Sequence, residues 1–298
     1  MSIKTINYKN PGSSSTTRFE KIHTVIFDDK KTAEFLVAEE IKKLIEINNK
    51  KNKTTVLGLA TGSSPVGVYK QLIDFHKKDK LTFKNVVTYN LDEYYGLEKN
   101  HKQSYHQFMD EKLFNHIDIN RDNINIPDGK LNKNNIEKYC NDYENKINSD
   151  GGIDIQILGI GVNGHIGFNE PGSNTNSVTR LVKLDYQTRN DARLDFNGIK
   201  NVPSSAITMG IKTILKSKRI ILMGWGLGKS NAVKKAVELK SSVKVPASLL
   251  QSHDNVTFVL DESSASLLTR ISQPWQVGQQ AHDEETINRA IHWLSAKT

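Results

Sequence analysis

Short apolar runs alternate with amphipathic segments along most of this chain. The apolar runs predict buried strands at His23–Phe27, Thr55–Ala60, Asn85–Leu91, Ile153–Ile160, Ala206–Met209, Arg219–Gly224 and Val256–Leu260. Segments whose apolar residues recur every three or four positions predict helices at Lys31–Ile47, Val66–Lys77, Ser104–Phe114, Ile136–Ile147 and His282–Ser295. This alternation of strand and helix is typical of an α/β fold.

The same pattern divides the chain into three parts. Residues 1–20 hold a run of small residues that predicts a flexible N-terminal arm, and residues 21–270 hold the alternating elements. Residues 271–298 form a C-terminal extension with one amphipathic helix, which we expect to pack against the rest of the molecule. Within the central part, residues 174–201 are polar and irregular, as many lids are.

Composition narrows the class of protein. The chain has 298 residues, 37% of them hydrophobic and 25% charged, which suits one large α/β domain or two small ones. No apolar run approaches the roughly 18 residues that span a bilayer, and the first residues lack the hydrophobic segment of a secretory signal. We therefore expect a cytoplasmic protein without a membrane partner.

Charge and cysteine content narrow the class further. The net charge of +8 comes from scattered lysines, and the sequence has no helix-turn-helix pattern, so we expect no nucleic-acid partner. A mildly positive field favours small anionic substrates. The single cysteine, Cys140, has no Cys or His at metal-ligand spacing, so we expect a structural thiol and no metal site.

The predicted strand ending near Ile160 leads into a glycine-rich turn that carries His165. Glycines on both sides of His165 remove bulk, so the turn presents the imidazole at the sheet edge. Asn163 and Glu170 supply an amide and a carboxylate that could orient the imidazole, which predicts an acid/base site. The alternative is a structural histidine that caps the turn.

Two glycine turns lie between a predicted strand and a helix, where backbone N–H groups can bind an anion. The first turn comprises Thr61, Gly62, Ser63 and Ser64, and the second runs from Gly226 to Lys229. Neither is a Walker motif, and the first alone could be an ordinary helix cap. Together they favour a phosphate-binding site.

Asp92 follows the strand predicted at Asn85–Leu91, at the end where open α/β sheets place ligands. It is therefore a candidate base. The alternative is a carboxylate that caps the next turn, which is common for Asp after a strand.

Several motifs, taken together over about residues 20–270, resemble the glucosamine-6-phosphate deaminase family of the sugar isomerase superfamily. They are LGLATGSSPVGVYKQL at 57–72, TYNLDEYYGL at 88–97, SYHQFM at 104–109, LGIGVNGHIGFNEPGS at 158–173 and VPASLLQ at 245–251. The resemblance implies a single domain with a Rossmann-like, doubly wound, mostly parallel sheet and helices on both faces. It also implies conversion of glucosamine 6-phosphate and water to fructose 6-phosphate and ammonia, without a metal or organic cofactor. Homo-oligomers occur in the family, and a hexamer is among the options.

The resemblance also implies roles for individual residues. Asp92 would move a proton between carbon 2 and carbon 1 of the open-chain sugar. His165 would open the ring, with Glu170 tuning it, and Asn163 stands where some members have Asp. The phosphate would be bound by the first glycine turn, by Arg189 of the lid and by Lys229.

The sequence departs from the regulated members of the family, and two other readings stay open. Arg180 matches the cation pair that binds their allosteric effector, but Val182 replaces its lysine, so we expect weak or absent activation. A 6-phosphogluconolactonase shares the implied fold but needs no carbon-2 base, which Asp92 argues against. A non-catalytic sugar-phosphate sensor of this fold would need a DNA-binding module, and none is visible.

Overall fold

The computed structural model describes residues 15–278 and 283–296. The predicted flexible arm therefore lies mostly outside the described residues. The described strands are β1 His23–Phe27, β2 Thr55–Leu59, β3 Val86–Asn90, β4 Asp92–Tyr94, β5 Ile124–Asn125, β6 Ile155–Gly159, β7 Arg180–Lys183, β8 Ser205–Thr208, β9 Ile220–Gly224 and β10 Val256–Asp261. The helices are α1 Lys30–Asn49, α2 Val66–Asp79, α3 Tyr105–Lys112, α4 Ile136–Ser149, α5 Tyr186–Asp191, α6 Ile211–Leu215, α7 Ser230–Glu238, α8 Glu262–Ala265, α9 Thr269–Ser272 and α10 Glu284–Ser295.

Within the described residues, seven strands form one sheet in the order β1-β10-β9-β6-β2-β3-β5. Every neighbouring pair in this sheet is parallel. Because each strand leads through a crossover to the next, the loops that follow β2, β3, β6 and β9 all lie at the same, carboxyl edge of the sheet. The candidate catalytic residues come from these loops.

The sheet is covered on both faces, which confirms the predicted doubly wound fold. Along β9, Ile221 and Met223 pack with α1 and α2, whereas Ile220 and Leu222 pack with the core residues of α4 and α7. Alternate side chains of a strand point to opposite faces, so a strand buried on both faces must be apolar at successive positions. This is why the central strands appear in the sequence as continuous apolar runs.

A second, antiparallel sheet has the order β4-β8-β7 and stands beside the carboxyl edge of the first. The interpretation of residues 174–201 as irregular is therefore wrong in part, because this segment contains β7 and α5. No local pattern predicts this strand, because β7 alternates half-buried and exposed positions and carries charged residues at both ends. Its pairing with β8 fixes where the chain enters α5.

The predicted helix of the C-terminal extension is present as α10, and it contacts the preceding segment through Trp293, whose ring centroid lies 6.2 Å from that of Trp275. Its predicted apolar face, however, is not buried among the described residues. The apolar residues Ile287, Ile291 and Leu294 are between 45% and 57% exposed.

No described helix is long and apolar enough to cross a membrane. Cys140 is buried in α4, and burial first, with the nearby charge of Glu144, raises the pKa of its thiol to about 11, as suits a structural thiol. The division of the chain into arm, domain and extension stays a prediction.

Candidate active site

A cavity of about 290 Å³ lies at the carboxyl edge of the main sheet. It brings together most of the residues that the sequence singles out, namely Asp92, His165, Thr61, Gly62, Ser63, Ser64 and Lys229. Asn163 and Glu170 stand behind His165 and outside the lining. Arg189 also lies outside the lining. The parallel topology explains the convergence, because the contributing loops come from four strands of one sheet.

Asp92 is the first residue of β4 and is only 5% exposed. Burial first, and then the negative charge of Glu93, raise the pKa of Asp92 to about 8, against a hydrogen bond from the backbone of Phe168 that acts to lower it. A carboxyl whose pKa lies near neutrality can both take up and release a proton at physiological pH. This is the property that a proton-transfer base needs.

Glu93, which the sequence reasoning missed, anchors the wall of the cavity next to Asp92. Its carboxylate is 1% exposed and accepts hydrogen bonds from the backbone N–H groups of Tyr94, Tyr105 and His106, as well as facing Nδ1 of His106 at 3.0 Å. These bonds hold the start of α3 against β4. Glu93 therefore fixes the position of Tyr105 and places a negative charge beside the base.

We expect Glu93→Gln to shift the pH dependence of catalysis to lower pH. If Asp92 works as a carboxylate, kcat/KM rises with pH and levels off above about pH 8. Removing the neighbouring charge lowers the pKa of Asp92, so the rising limb moves toward acid. The measurement is kcat/KM from pH 5 to pH 9.5. His106→Asn is the matched control, because it alters the same contact and keeps the Glu93 charge; an equal shift in both variants would contradict this explanation.

His165 is held from behind by a short network. Its Nδ1 lies 3.5 Å from Oε2 of Glu170 and 3.4 Å from Oγ1 of Thr188. Burial acts to raise the pKa of Glu170, but hydrogen bonding and the charge of His165 outweigh it and lower the pKa to about 2. Nε2 of His165 has no partner among the described residues. The ring is thus oriented through Nδ1, which leaves Nε2 for a ligand in the cavity.

Asn163 orients Glu170 rather than the imidazole itself. Its Nδ2 donates to Oε2 of Glu170 at 3.0 Å, and its Oδ1 accepts from the backbone N–H of His165 at 3.1 Å. One amide therefore fixes both the carboxylate and the turn. This contact needs a donor and an acceptor on the same side chain, which asparagine supplies and an aspartate does not.

Two glycines leave room for the imidazole of His165 and the carboxylate of Asp92, which lie close to the backbone at these positions. A Cβ at Gly161 would lie 2.2 Å from Cε1 of His165. Gly167 has φ +55°, and a Cβ there would lie 3.1 Å from Oδ2 of Asp92. Any side chain at Gly161 would displace the imidazole, and one at Gly167 would be strained and would crowd the carboxylate.

The first glycine turn, Thr61 to Ser64, also lines the cavity and has the features of an anion-binding turn. Gly62 has φ +83°, and the turn leads directly into α2, whose first N–H groups receive no side-chain cap. The indole N–H of Trp225 donates to the carbonyl oxygen of Ser64 at 3.0 Å, which ties this turn to the loop that carries Lys229. The N–H groups of this turn, its hydroxyls and Lys229 are groups of the kind that bind a phosphate, and this role stays a prediction.

The two predicted phosphate cations differ in position. Lys229 lines the cavity; burial lowers its pKa, and the charge of Asp191 opposes that shift. Arg189 instead donates from Nη2 to the carbonyl oxygens of Ile199 at 3.0 Å and Val202 at 3.1 Å. A role for Arg189 at the phosphate stays a prediction, and it would require the guanidinium to leave these carbonyls.

Several further residues line the cavity without having been singled out in the sequence. Tyr94, Tyr105 and Phe168 form an aromatic wall, with the ring centroids of Tyr94 and Phe168 5.2 Å apart. From α5 and the loop after it, Thr188, Asp191, Ala192 and Asp195 complete the mouth. Nothing in the local pattern marks these residues, because their positions depend on the second sheet. In the described residues, no three His, Cys, Asp or Glu side chains cluster as metal ligands.

These features define a class: a doubly wound α/β protein that has an anion-binding turn and an acid/base pair in one cavity at its strand ends. A family model described as glucosamine-6-phosphate isomerases/6-phosphogluconolactonase matches residues 28–259. The chain belongs to this family.

Named relatives agree with the family. A glucosamine-6-phosphate deaminase-like protein of Bacteroides thetaiotaomicron is 43% identical over 285 residues, which cover 96% of this chain and 43% of the relative. The chain thus spans less than half the length of that protein. A glucosamine-6-phosphate deaminase of Clostridium botulinum (strain Langeland) is 50% identical over 214 residues, which cover 72% of this chain and 87% of the relative.

Solved structures of related proteins have the same fold as this chain. A structure described as a monomeric glucosamine-6-phosphate deaminase is 42% identical and superposes with a TM-score of 0.78, covering 83% of this chain and all (100%) of the other. A 6-phosphogluconolactonase from Thermotoga maritima is 22% identical, with a TM-score of 0.62 over 80% of this chain and 99% of the other, and shows the fold alone. The predicted resemblance and fold class are confirmed.

Proposed function

We propose that this chain is a glucosamine-6-phosphate deaminase, which converts glucosamine 6-phosphate and water to fructose 6-phosphate and ammonia. The observation that carries the proposal is one cavity that holds an anion-binding turn, an oriented histidine and a buried carboxyl with a raised pKa. Its relatives at about 50% identity bear this name. Amino-sugar breakdown in the cytoplasm is the corresponding cellular role, and it stays a prediction.

Substrate binding begins at the phosphate. The N–H groups of the first glycine turn and the ammonium of Lys229 hold the dianion at one end of the cavity. The sugar then extends toward Asp92 and the aromatic wall. The buried phenol of Tyr105 stacks parallel to Phe168, with 5.9 Å between ring centroids, and limits the space in which the sugar ring can lie.

His165 opens the ring. Nε2 takes the proton of the carbon-1 hydroxyl and returns a proton to the ring oxygen, and the carbon–oxygen bond breaks. Glu170 stabilises the transient imidazolium through Nδ1. Since Asn163 and Thr188 fix the carboxylate and the ring in place, no reorganisation is needed at this step.

Asp92 then carries out the isomerisation. Its carboxylate takes the proton from carbon 2 of the open-chain aldehyde while a proton passes from the ammonium to the carbon-1 oxygen, which gives an enolamine. The protonated Asp92 then delivers a proton to carbon 1, which leaves a protonated imine at carbon 2. Water adds to this imine, and carbon 2 releases ammonia to give the ketone of fructose 6-phosphate. A single buried carboxylate that reaches both carbons from one side suffices for this transfer.

The direct test is to incubate the protein with glucosamine 6-phosphate and to measure ammonia and fructose 6-phosphate together. Equal release of both products supports the proposal. Hydrolysis of 6-phosphogluconolactone without ammonia release would favour the lactonase reading instead. Tight binding of sugar phosphates without turnover of either substrate would favour the sensor reading.

Replacing Lys229 by alanine should raise KM for glucosamine 6-phosphate about 10- to 100-fold with kcat little changed. The reason is the loss of a charge-assisted hydrogen bond to the phosphate, which is worth roughly 1.5 to 3 kcal/mol. Steady-state ammonia release measures both constants. Lys235→Ala removes an exposed lysine from the same part of the chain and is the control. An unchanged KM in the Lys229 variant would remove Lys229 from the phosphate site.

Assembly is a separate question. The predicted homo-oligomer, with a hexamer among the options, stays a prediction, since the 42% identical structure is described as monomeric. Light scattering of the purified chain, with and without substrate, measures the mass directly.

A further inference from the structure

We propose that Asp195 binds the ammonium group on carbon 2 of the substrate and thereby selects 2-amino over 2-hydroxy sugar phosphates. This inference rests on the proposed function and adds a specificity-determining residue to it. The starting observation is that α5 and the loop after it, which cover the cavity, contribute two carboxylates to its lining, Asp191 and Asp195. A carboxylate repels a phosphate dianion, so the presence of two carboxylates in this lining indicates that they serve another purpose.

The two carboxylates act on different groups of the cavity. Asp191 acts on Lys229, the cation of the phosphate end. Asp195 acts on Tyr94: burial first, and then the charges of Asp92 and Asp195, raise the pKa of the phenol to about 12, against a hydrogen bond with Tyr105. Asp195 therefore lies near the same phenol as Asp92, and it is followed directly by Phe196, whose ring packs against Tyr94.

Asp195 is also available for a ligand. Among the described residues its carboxylate has no hydrogen-bond or ion-pair partner. Asp191 differs, since its Oδ1 accepts a hydrogen bond from Gln187 at 2.7 Å. The neighbour Phe196 is buried in an aromatic cluster with Tyr94, with ring centroids 5.2 Å apart, so the backbone at Asp195 is anchored beside the cavity.

This distribution of charge matches an amino-sugar phosphate. Such a substrate carries a dianion at carbon 6 and an ammonium at carbon 2, which is the carbon that Asp92 deprotonates. With the phosphate on the turn and Lys229, carbon 2 lies at Asp92. The ammonium on carbon 2 then lies beside β4, against which the segment that carries Asp195 packs through Phe196 and Tyr94. A 2-hydroxy sugar and an N-acetylated sugar are neutral there, so they gain no ion pair.

The test uses two open-chain analogues that cannot react, 2-amino-2-deoxyglucitol 6-phosphate and glucitol 6-phosphate, and measures Kd by calorimetry at pH 7. The parent should bind the amino analogue more tightly. Asp195→Asn should weaken binding of the amino analogue about tenfold, the effect of one charge-assisted hydrogen bond, and change binding of glucitol 6-phosphate less than twofold. Thermal melting checks that the variant is folded.

Asp191→Asn is the matched control, because it removes a carboxylate from the same segment. Since Asp191 acts on Lys229, this change should alter the affinity for both analogues by the same factor. The inference is overturned if Asp195→Asn weakens both analogues equally, if it weakens neither, or if the parent binds neither. A parent that prefers the amino analogue but releases no ammonia from glucosamine 6-phosphate would defeat the proposed function and leave the role of Asp195 standing.

Discussion

Asp92→Asn should lower kcat for ammonia release by at least about 10²- to 10⁴-fold, with KM little changed. Asparagine keeps the shape of the side chain but has no basic oxygen that can accept the carbon-2 proton. The groups proposed to bind the phosphate, the first glycine turn and Lys229, are unchanged in this variant, so the ground-state complex should survive. The measurement is steady-state ammonia release by parent and variant at pH 8.

The same variant should be more stable than the parent at high pH. Asp92 has a folded-state pKa of about 8, above the ordinary value of 3.8. A raised carboxyl pKa means that the folded state disfavours the ionised form, so stability falls as pH rises between these two values. Asparagine carries no such charge, and its melting-temperature advantage should grow up to about pH 8. An inactive variant that is also unfolded, or one that still deaminates within tenfold of the parent, would contradict the assignment.

His165→Gln should lower kcat/KM for the cyclic substrate by about 10²- to 10⁴-fold, because Nε2 is the group placed to move protons at carbon 1 and the ring oxygen. Glutamine has a similar reach but cannot be protonated. Glu170→Gln should show a smaller loss in the same direction, since it leaves the imidazole in place and removes only the carboxylate behind it. His253→Gln, remote from the cavity lining, is the control.

Isotope exchange separates the two roles. In heavy water with added ammonia, fructose 6-phosphate should gain deuterium at carbon 1 when Asp92 is intact. His165→Gln should retain more of this exchange than Asp92→Asn, because a small open-chain fraction reaches Asp92 without assisted ring opening. Equal loss of exchange in both variants would mean that His165 also serves the isomerisation step.

The main sheet and the catalytic loops were predictable because they depend on local patterns. A strand buried on both faces must be apolar at successive positions, so the apolar runs in the sequence predict the strands Thr55–Leu59 and Ile220–Gly224. Asp92, His165 and Lys229 each follow such a strand, and the carboxyl ends of parallel strands meet at one edge. Their convergence in one cavity was therefore foreseeable, although their roles stay predictions.

The sequence by itself determined the α/β class and every strand of the main sheet except the two-residue β5, and it singled out the candidate acid, base and anion-binding groups, because each depends on a short run of residues and on parallel topology. Only the tertiary structure decided the rest. β8 pairs with β4, and β7 pairs with β8, which sets where the chain enters α5. The position of α5 in turn places Asp195 in the lining of the cavity and the Arg189 guanidinium on backbone carbonyl oxygens. Likewise the burial of Asp92, and then the charge of Glu93 beside it, raise the pKa of Asp92. These contacts join distant segments, and no local pattern specifies them.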